Sequence, residues 1–376
     1  MKKTILYIID SLEMGGAEIM LVSPLAEIHR DYNIVIVTLR PENVFTDQEL
    51  FCEKIFCLNM GSRNGIFKAA GKLKKIIAEN DIALVHSFLY WSGIVARIAC
   101  GKKIPYVFSL ATMMTAGVYR LKWYSGYTLL LDRFTYRKSH FIISPTAEVL
   151  QDFSNSVGLK GNYKVLYNFV KEEFFENKLV YTIPNGWLRL VAVGNLKDVK
   201  NYQLLIDAFK LLKDIPVSLD IYGEGPERDV LQKQITEHSL AIKLKGSHEK
   251  VYEVLPGYDA YVMCSYIEGF GVSAAEAMAI GLPLLLSDIK VLREISRENA
   301  IFFDPFDAES FANGIYSILN KERNLIGLSE KVKEIAKNNY TKEIYLEGLF
   351  KVYSQVLNNI NLIESKLCVV LQDTSP

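Results

Sequence analysis

Short apolar segments alternate with longer amphipathic segments along nearly the whole chain, and this alternation limits the fold more than any other feature. Gly, Pro or Asn bounds most of the apolar segments, and YQLLIDAFKLLKD (202–214) has the apolar spacing of a helix. Strands that alternate with helices form βα units around a parallel sheet. We therefore predict an α/β fold with strands at TILYIID, NIVIVTL, KIFCLN, ALVHSF, PYVFSL, HFIISP and YKVLYN, and then at LRLVAVG, SLDIYG, IKLKG, AYVMCS, PLLLS and AIFF.

The alternation is interrupted at Pro184, Asn185 and Gly186 and restarts immediately afterwards. A chain of 376 residues also exceeds what a single core usually organises. We predict two domains, at residues 1–182 and 183–341, each built on a doubly wound parallel sheet. Such sheets bind ligands beyond the carboxyl ends of their strands, so the loops that follow strands are the candidate sites.

The cysteines and the N-terminus argue against several classes of protein. The five cysteines include no CxxC pair and are odd in number, which indicates neither a zinc site nor a disulfide framework. The apolar run in MKKTILYIIDSLEMGG is too short for a membrane span and lacks a small-residue cleavage site. No other run approaches the roughly 18 apolar residues that a span requires. We expect a cytoplasmic protein.

Residues 97–138 are rich in basic and aromatic side chains. Eight basic residues and one acid, Asp132, lie between Arg97 and Lys138, interleaved with Tyr119, Trp123, Tyr124, Tyr127, Phe134 and Tyr136. Such a surface can bind anionic lipid headgroups, which predicts peripheral association with a membrane. A solvated basic helix with aromatic side chains in the core explains the same composition equally well.

The segment YIEGFGVSAAEAMAIG (266–281) contains two glutamates, Glu268 and Glu276, around a turn with two glycines. Ser273 and Glu276 have the spacing of a capping box, which would satisfy free N–H groups at the start of a helix. That alternative does not explain Glu268 or the glycines. A loop of N–H groups that leads into a helix binds phosphate, and a carboxylate accepts hydrogen bonds from neighbouring sugar hydroxyls. The pattern therefore predicts a site for a diphosphate with a sugar at each end.

Several motifs resemble those of glycosyltransferase family 4. E-GFGVSAA-E resembles the family's E-x7-E motif, and the other matching segments are MGGAE (14–18), FIISPTAEVLQDF with KVLYNFV, VGNLKDVKNYQLLIDAF (193–209) and LDIYGEGPERDVL (219–231). The resemblance implies the GT-B fold, in which two Rossmann-like domains face each other across a cleft. It also implies an acceptor-binding first domain, a donor-binding second domain, and a C-terminal helix, at about 342–376, that crosses back to the first.

The resemblance implies roles for three charged residues. Glu276 would bind the ribose hydroxyls of a nucleotide, Glu268 the donor sugar, and Lys200 the diphosphate. A lysine and helix N-terminal dipoles stabilise the negative charge that develops on a leaving phosphate. Taken alone, Lys200 would be interpreted as a solvated surface lysine.

His86 is a further catalytic candidate, beside Glu268 and Lys200. It matches the first histidine of a His-x-His motif that many family members have after a strand of the first domain. Phe88 stands where those members have the second histidine, near the donor sugar. The alternative interpretation is a structural histidine at a strand end.

The predicted donor-binding residues are Gly15, Gly16, Asn195, Lys200, Gly223, Glu224, Gly225, Glu268, Gly269, Phe270, Gly271, Val272, Ser273 and Glu276. Simple turns explain the glycines at 15–16 and the segment 224–226 about as well. Asn195 departs from the family pattern, because many members have an arginine there. Asparagine supplies a hydrogen bond but no charge for the diphosphate.

The resemblance implies a retaining transferase that moves a sugar from a nucleotide diphosphate sugar to a hydroxyl. The chain contains no D-x-D motif, which fits transfer without a metal, and we expect no cofactor and no nucleic-acid partner. The predicted acceptor is a lipid-linked oligosaccharide of bacterial surface polysaccharide assembly, at the inner face of the cytoplasmic membrane. Two alternatives stay open: a transferase or phosphorylase of soluble sugars, and a nucleotide-sugar-binding protein without turnover.

Overall fold

The computed structural model describes residues 2–13, 15–102, 104–113, 126–176 and 186–372. These residues form two compact units. The first contains the residues up to Tyr167 and those from Glu343 onward, and the second contains Asn168–Lys342. The boundary predicted between residues 182 and 183 falls within 177–185, outside the described residues.

The described part of the first unit contains a seven-stranded parallel sheet of order β3-β2-β1-β4-β5-β6-β7. Its strands are β1 (Thr4–Ile9), β2 (Asn33–Thr38), β3 (Lys54–Cys57), β4 (Ile82–Phe88), β5 (Tyr106–Ser109), β6 (Phe141–Ser144) and β7 (Tyr163–Val165). The helices between them are α1 (Gly16–Val22), α2 (Leu25–Ile28), α3 (Ile66–Glu79), α4 (Tyr90–Cys100), α5 (Gly126–Thr135) and α6 (Ala147–Ser156).

The second unit repeats this arrangement, with a six-stranded parallel sheet of order β10-β9-β8-β11-β12-β13 in its described residues. The strands are β8 (Leu188–Val193), β9 (Val217–Tyr222), β10 (Ile242–Gly246), β11 (Ala260–Met263), β12 (Leu284–Ser287) and β13 (Ile301–Phe303). The helices are α7 (Tyr202–Leu211), α8 (Arg228–Glu237), α9 (Val251–Val254), α10 (Val272–Ile280), α11 (Lys290–Ser296), α12 (Ala308–Leu319) and α13 (Leu325–Asn339), followed by the C-terminal α14 (Lys342–Gln372).

The apolar segments of the central strands are buried almost completely, whereas the edge strands β3, β7 and β10 are partly exposed. In β1, for example, every residue from Ile5 to Ile9 is buried. Each predicted strand coincides with one of the observed strands, so the predicted α/β fold with two Rossmann-like sheets is confirmed. In each unit the strand order reverses beside the first strand, next to β1 in one sheet and β8 in the other.

The return of the chain to the first unit is anchored by a buried polar network. The Tyr353 hydroxyl, on α14, lies 2.8 Å from the Tyr7 hydroxyl and 2.7 Å from His86 Nδ1. His86 Nε2 lies 2.8 Å from Ser109 Oγ. These bonds tie the last helix to β1, β4 and β5, and they confirm that the C-terminal helix crosses back to the first unit.

The structure corrects the prediction that Arg97 belongs to a basic surface. Arg97 is fully buried, and its guanidinium pairs with the equally buried carboxylate of Asp132 on α5. It also lies 5.2 Å from the centre of the Phe108 ring. Residues 114–125 of the predicted surface lie outside the described residues, and of the part that the structure shows, Arg133, Phe134 and Lys138 are exposed.

We predict that the protein loses stability as the pH falls below about 6.5. Burial lowers the pKa of His86 to about 3, and burial together with Arg97 lowers that of His140 to about 3. Both side chains titrate near 6.5 in an unfolded chain. Between these values the unfolded state binds more protons, so the free energy of unfolding falls by up to about 1.4 kcal/mol per pH unit for each histidine.

Urea unfolding between about pH 7.5 and pH 4.5 measures this slope. His140→Gln should reduce the slope, because glutamine does not titrate. The exposed His238, replaced by Gln, is the matched control and should leave the slope unchanged. A free energy of unfolding that does not change over this range would contradict the prediction.

Candidate functional site

The candidate site lies where the loops after β8 and β11 leave the second sheet. These adjacent strands lie on either side of the point where the strand order reverses, so their loops diverge and leave a crevice at the carboxyl ends. Lys200 ends the loop after β8, and Glu268 lies in the loop after β11. Backbone bonds join the two loops, since the Tyr266 N–H donates to Val199 O at 3.0 Å.

Glu268 is held by two donors. Lys200 Nζ lies 2.6 Å from Glu268 Oε1, and Ser265 Oγ donates to the same oxygen at 2.7 Å. Neither bond uses Oε2. The Glu268 side chain is 10% exposed and that of Lys200 is 24% exposed, so both remain within reach of solvent. The site therefore contains a charge-compensated pair at the surface of the crevice.

The helix α10 begins directly after this pair. Gly271 is its N-cap residue and has a φ of 83°, in the left-handed region that glycine adopts without strain. A Cβ at this position would lie 3.0 Å from Leu292 Cδ2. The first N–H groups of a helix have no intrahelical acceptor and attract anions. Gly271 thus lets the chain turn sharply from Glu268 into a helix end suited to phosphate.

The capping box considered for Ser273 and Glu276 is not formed in α10, all of whose residues the structure describes. Ser273 Oγ donates to Val193 O at 2.9 Å and accepts from the Tyr261 hydroxyl at 2.7 Å. Ser273 instead fastens the helix to the end of β8 and to Tyr261 of β11. Glu276 is consequently not explained as a capping residue.

Glu276 lies one turn into α10 and is half-buried. Burial raises the pKa of its carboxyl to about 7, and the nearby Lys171 acts in the opposite direction. A carboxyl in such a position gains from hydrogen-bond donors that compensate its charge. The two glutamates therefore differ: Glu268 has a cationic partner, whereas Glu276 is destabilised as an anion.

Two predicted donor-binding glycines are required by loop packing. Gly223 has a φ of 148°, and a Cβ there would lie 2.0 Å from Gly194 O. A Cβ at Gly225 would lie 2.3 Å from Leu196 O. Glu224, between them, forms an exposed ion pair with Arg228 at 3.0 Å. The segment 223–225 thus packs closely against the loop after β8. This packing agrees with the alternative interpretation of the segment as a tight turn.

Asn195 lies exposed in the same loop, beside Gly194. Gly269 and Phe270 complete the turn before α10, with Phe270 buried against Tyr340 at a ring-centre distance of 5.3 Å. The N-terminal half of α10, from Val272 on, follows directly. The loop after β8 and the turn before α10 thus bring most of the predicted donor-binding residues to one edge of the second sheet.

Gly15 and Gly16 lie in the first unit, after β1. Gly15 caps the short helix α1, and a Cβ there would lie 2.4 Å from Glu18 Oε2. Glu18 is buried, and burial raises the pKa of its carboxyl, with Asp10 and Glu13 acting in the same direction. The contribution of the two glycines to donor binding stays a prediction.

The geometry does not support a catalytic role for His86. The side chain is fully buried, both ring nitrogens have hydrogen-bond partners, and the low pKa keeps the ring neutral. Phe88 is also buried and packs on the imidazole, with ring centres 4.5 Å apart. The alternative of a structural histidine explains this position.

Sequence reasoning missed three residues that shape the site. Ser265 orients Glu268, and the S-x-x-E spacing of these two residues was a usable signal. Asn201 has a φ of 56° and donates from Nδ2 to Pro305 O at 2.8 Å, which fixes the start of α7 beside Lys200. Tyr266 stacks on the exposed Phe306 at 5.2 Å. Neither of the last two contacts had a sequence signal.

We predict that Gly223→Ala destabilises the protein by about 2 kcal/mol or more, because the new Cβ would overlap Gly194 O at a strained φ. Gly257→Ala is the matched control, since a Cβ there meets no atom within 4 Å. Thermal or urea unfolding measures both variants. Equal stabilities would show that the loops after β8 and β9 can separate without cost.

Two family models match the chain. Residues 14–174 match the model described as Glycosyltransferase Family 4, and residues 173–342 match the model described as Glycosyl transferases group 1. Together the two matches extend over most of both units.

Several curated relatives are similar to this chain, and the matched part differs in length from one relative to the next. The chain is 25% identical over 322 residues to the Campylobacter jejuni N-acetylgalactosamine-N,N'-diacetylbacillosaminyl-diphospho-undecaprenol 4-alpha-N-acetylgalactosaminyltransferase, covering 78% of this chain and 87% of that protein. It is 21% identical over 240 residues to the Bacillus anthracis N-acetyl-alpha-D-glucosaminyl L-malate synthase. This match covers 61% of this chain and 63% of that protein. It is 24% identical over 219 residues to the Bacillus subtilis poly(glycerol-phosphate) alpha-glucosyltransferase, and this match covers 56% of this chain and 32% of that protein. The chain thus spans less than two thirds of the length of the last two.

Solved structures share the fold. The structure of Anabaena Alr3699/HepE in complex with UDP and glucose has a TM-score of 0.78 at 18% identity and covers 94% of this chain and 100% of that one. The structure of sucrose-phosphate synthase from Thermosynechococcus elongatus has the same TM-score and identity, and it covers 95% of this chain and 100% of that one. The two Rossmann-like sheets are those of the GT-B fold, and the chain belongs to glycosyltransferase family 4.

Proposed function

We propose that this protein is a retaining, metal-independent glycosyltransferase that moves a sugar from a nucleotide diphosphate sugar to a hydroxyl. The observation that carries the proposal is the Lys200–Glu268 ion pair at the start of α10, with Glu276 on the same helix. A cation, a helix N-terminus and two carboxylates thus lie together within the second unit. The structure of HepE with UDP and glucose, which shares the fold, supports a nucleotide-sugar donor.

Lys200 is the proposed ligand of the diphosphate. Its ammonium now contacts a single carboxylate, and a doubly charged diphosphate attracts that ammonium more strongly than one carboxylate does. Movement of Lys200 toward the diphosphate would leave Glu268 Oε1 to accept a hydroxyl of the donor sugar. Ser265 would keep the carboxylate in place during this exchange.

Glu276 is the proposed ligand of the ribose. Two ribose hydroxyls donating to its carboxylate would compensate the charge that burial disfavours.

In the transfer step, the bond from the anomeric carbon to the phosphate oxygen breaks while a bond to the acceptor oxygen forms. The leaving phosphate takes the proton of the acceptor hydroxyl, so we assign no nucleophile to the protein.

The proposed acceptor is a lipid-linked oligosaccharide of bacterial surface polysaccharide assembly. The name of the Campylobacter relative places its acceptor on diphospho-undecaprenol, which supports a lipid-linked acceptor here. Such an acceptor would bring the protein to the inner face of the cytoplasmic membrane as a peripheral protein. Among the described residues, no helix combines the length and apolarity needed to cross a bilayer.

In the first unit, α3 and α5, which both pack on α4, expose the aromatic side chains that would make this contact. Phe134 on α5 is 81% exposed, and Phe67 on α3 is 74% exposed. Exposed lysines accompany Phe67, including Lys68 and Lys75, and Lys138 follows Phe134. Exposed aromatic rings among basic side chains are suited to an anionic bilayer.

We predict different effects for the two glutamates. Glu276→Ala should weaken nucleotide binding about tenfold to a hundredfold, because it removes charge-assisted hydrogen bonds to the ribose. Glu268→Ala should leave nucleotide affinity nearly unchanged and slow transfer about 10²-fold to 10³-fold, because its contact is to the sugar. Calorimetric titration with UDP, GDP, ADP and their sugar conjugates, with a chelator present, measures affinity, and donor consumption measures transfer.

Glu237→Ala on the exposed face of α8 is the control for this pair. Equal losses of folding stability, without selective losses of binding or transfer, would favour a structural role for both glutamates. Nucleotide binding without donor consumption in the unaltered protein, whatever acceptor is supplied, would favour the alternative of a binding protein.

We also predict that nucleotide-sugar affinity rises as the pH rises toward about 7 and levels off above it. The pKa of Glu276 is raised to about 7, so below that pH a proton has to leave before the carboxylate can bind the ribose. Affinity should therefore increase by up to about tenfold per pH unit below 7. Titrations of the nucleotide sugar itself, which has no titrating terminal phosphate, test this. Glu276→Gln should make the affinity independent of pH, and a persisting slope would assign the proton elsewhere.

Membrane association is predicted to depend on the surface of α3 and α5. Replacing Phe67 and Phe134 together by Ser should reduce co-sedimentation with vesicles that contain anionic lipid, because both exposed rings lose their contact with the bilayer. Val230→Ser, at an exposed apolar position on α8 in the second unit, is the control. Sedimentation that is unchanged by the double substitution would exclude this surface.

A further inference from the structure

One face of the second sheet carries polar side chains toward the amino-terminal ends of β8, β9 and β10. Parallel sheets are normally covered on both faces. Here Leu190, Leu219 and Ile242 belong to the hydrophobic core on one face. The residues that alternate with them on the other face include Arg189, Ser218, Asp220 and Lys243, and none of these is fully buried.

A cavity of about 410 Å³ lies on this polar face. Sites for small molecules have volumes of about 300–1,000 Å³. The side chains that matter for its chemistry are those of Trp187, Arg189, Ser218, Asp220, Lys243 and Tyr258. They belong to the amino-terminal parts of the strands or to the residues just before them. Lys200 and Glu268 follow the carboxyl ends, so the cavity is distinct from the donor site.

Trp187 gives the cavity an accessible aromatic surface. It precedes β8 and is 55% exposed, although large aromatic side chains gain most when they are covered. Tyr258 is half-buried and donates its hydroxyl to Asp220 Oδ2 at 2.8 Å. The Tyr222 hydroxyl lies 3.0 Å from that of Tyr258. The lining that includes Trp187 therefore also contains the Tyr258 hydroxyl and the Asp220 carboxylate, which a hydrogen bond holds in place.

Two ion pairs lie at the cavity, and Lys243 adds a further positive charge. Arg189 forms a bidentate pair with Asp259, with distances of 3.1 and 3.0 Å. Asp220 lies 3.7 Å from Lys245, and Lys243 is exposed beside it. The wall therefore offers both donors and acceptors beside apolar surface. This combination complements a ligand that has an apolar face and groups that both donate and accept.

We propose that this cavity binds a pyranose unit of a glycan, as a non-catalytic site remote from the donor site. The apolar face of the ring would lie on Trp187, and its hydroxyls would bond Asp220, Ser218 and Lys243. Polyols are the class that matches one aromatic surface bordered by mixed donors and acceptors. The proposal rests on the lining of the cavity and not on the proposed donor site, so either can fail alone.

Fluorescence of Trp187 tests the proposal directly. Trp91→Phe and Trp123→Phe leave Trp187 as the sole tryptophan of the chain. This protein is titrated with N,N'-diacetylchitobiose, with maltose and with inorganic phosphate. We expect a saturable change with at least one disaccharide and none with phosphate. A response to phosphate alone would replace the pyranose assignment by an anion site, and no response to any of the three would overturn the proposal.

Two substitutions locate the binding. Asp220→Asn keeps the shape of the side chain and an acceptor for Tyr258 but removes the charge, and it should weaken disaccharide binding at least fivefold. Glu330→Gln, at an exposed position of α13, which packs on α10, is the matched control and should have no effect. Equal affinity in Asp220→Asn and the control would place the sugar elsewhere and contradict the proposal.

Calorimetry with a nucleotide sugar separates this result from the proposed function. Glu276→Ala should weaken nucleotide binding and leave the Trp187 titration unchanged. Loss of both in that variant would mean that the disaccharide enters the donor site, which would also overturn the proposal. Normal nucleotide binding in a protein whose Trp187 does not respond would leave the donor site intact and remove only the second site.

Discussion

Parallel pairing of the strands is the constraint on which the rest of the structure depends. A chain that pairs its strands in parallel has to return to the same end after each one, so the carboxyl ends of a sheet share one edge. In the second unit the chain winds from β8 to β10 on one side and then from β11 to β13 on the other. The crevice between the diverging loops follows from this winding, and it receives Lys200 and Glu268.

The candidate site combines compensated and uncompensated charge. Glu268 already has a cation and a hydroxyl on one oxygen, so its position is defined before any ligand arrives. At Glu276, by contrast, burial raises the pKa of the carboxyl, and the opposing effect of Lys171 is smaller. A ligand that supplies hydroxyls near Glu276 and negative charge near Lys200 would improve both environments. This asymmetry is a physical reason for a nucleotide at one end of the site and a sugar at the other.

The interior of the first unit uses polar residues that resemble functional ones in sequence. His86 bridges Tyr353 and Ser109, and Arg97 pairs with Asp132 where both side chains are fully buried. Breaking a buried pair of this kind leaves an uncompensated charge, which is strongly destabilising. These residues therefore hold α14, α4 and α5 in place, and their burial separates them from the chemistry that their residue types suggested.

Sequence alone determined the fold class and the positions of the strands, because most strands of the two parallel sheets are buried and therefore consist of short apolar segments between turn residues. Sequence also singled out the two glutamates, because they flank a helix entry after a strand, whereas Lys200 was assigned only through the resemblance to the family. The burial of His86 and Arg97, the bonds from Ser273 to β8 and β11, and the cavity beside Trp187 were decided only by the tertiary structure. They depend on residues far apart in the chain, such as Tyr353 for His86 and Asp132 for Arg97, and local sequence carries no information about which distant side chain will pack against a given one.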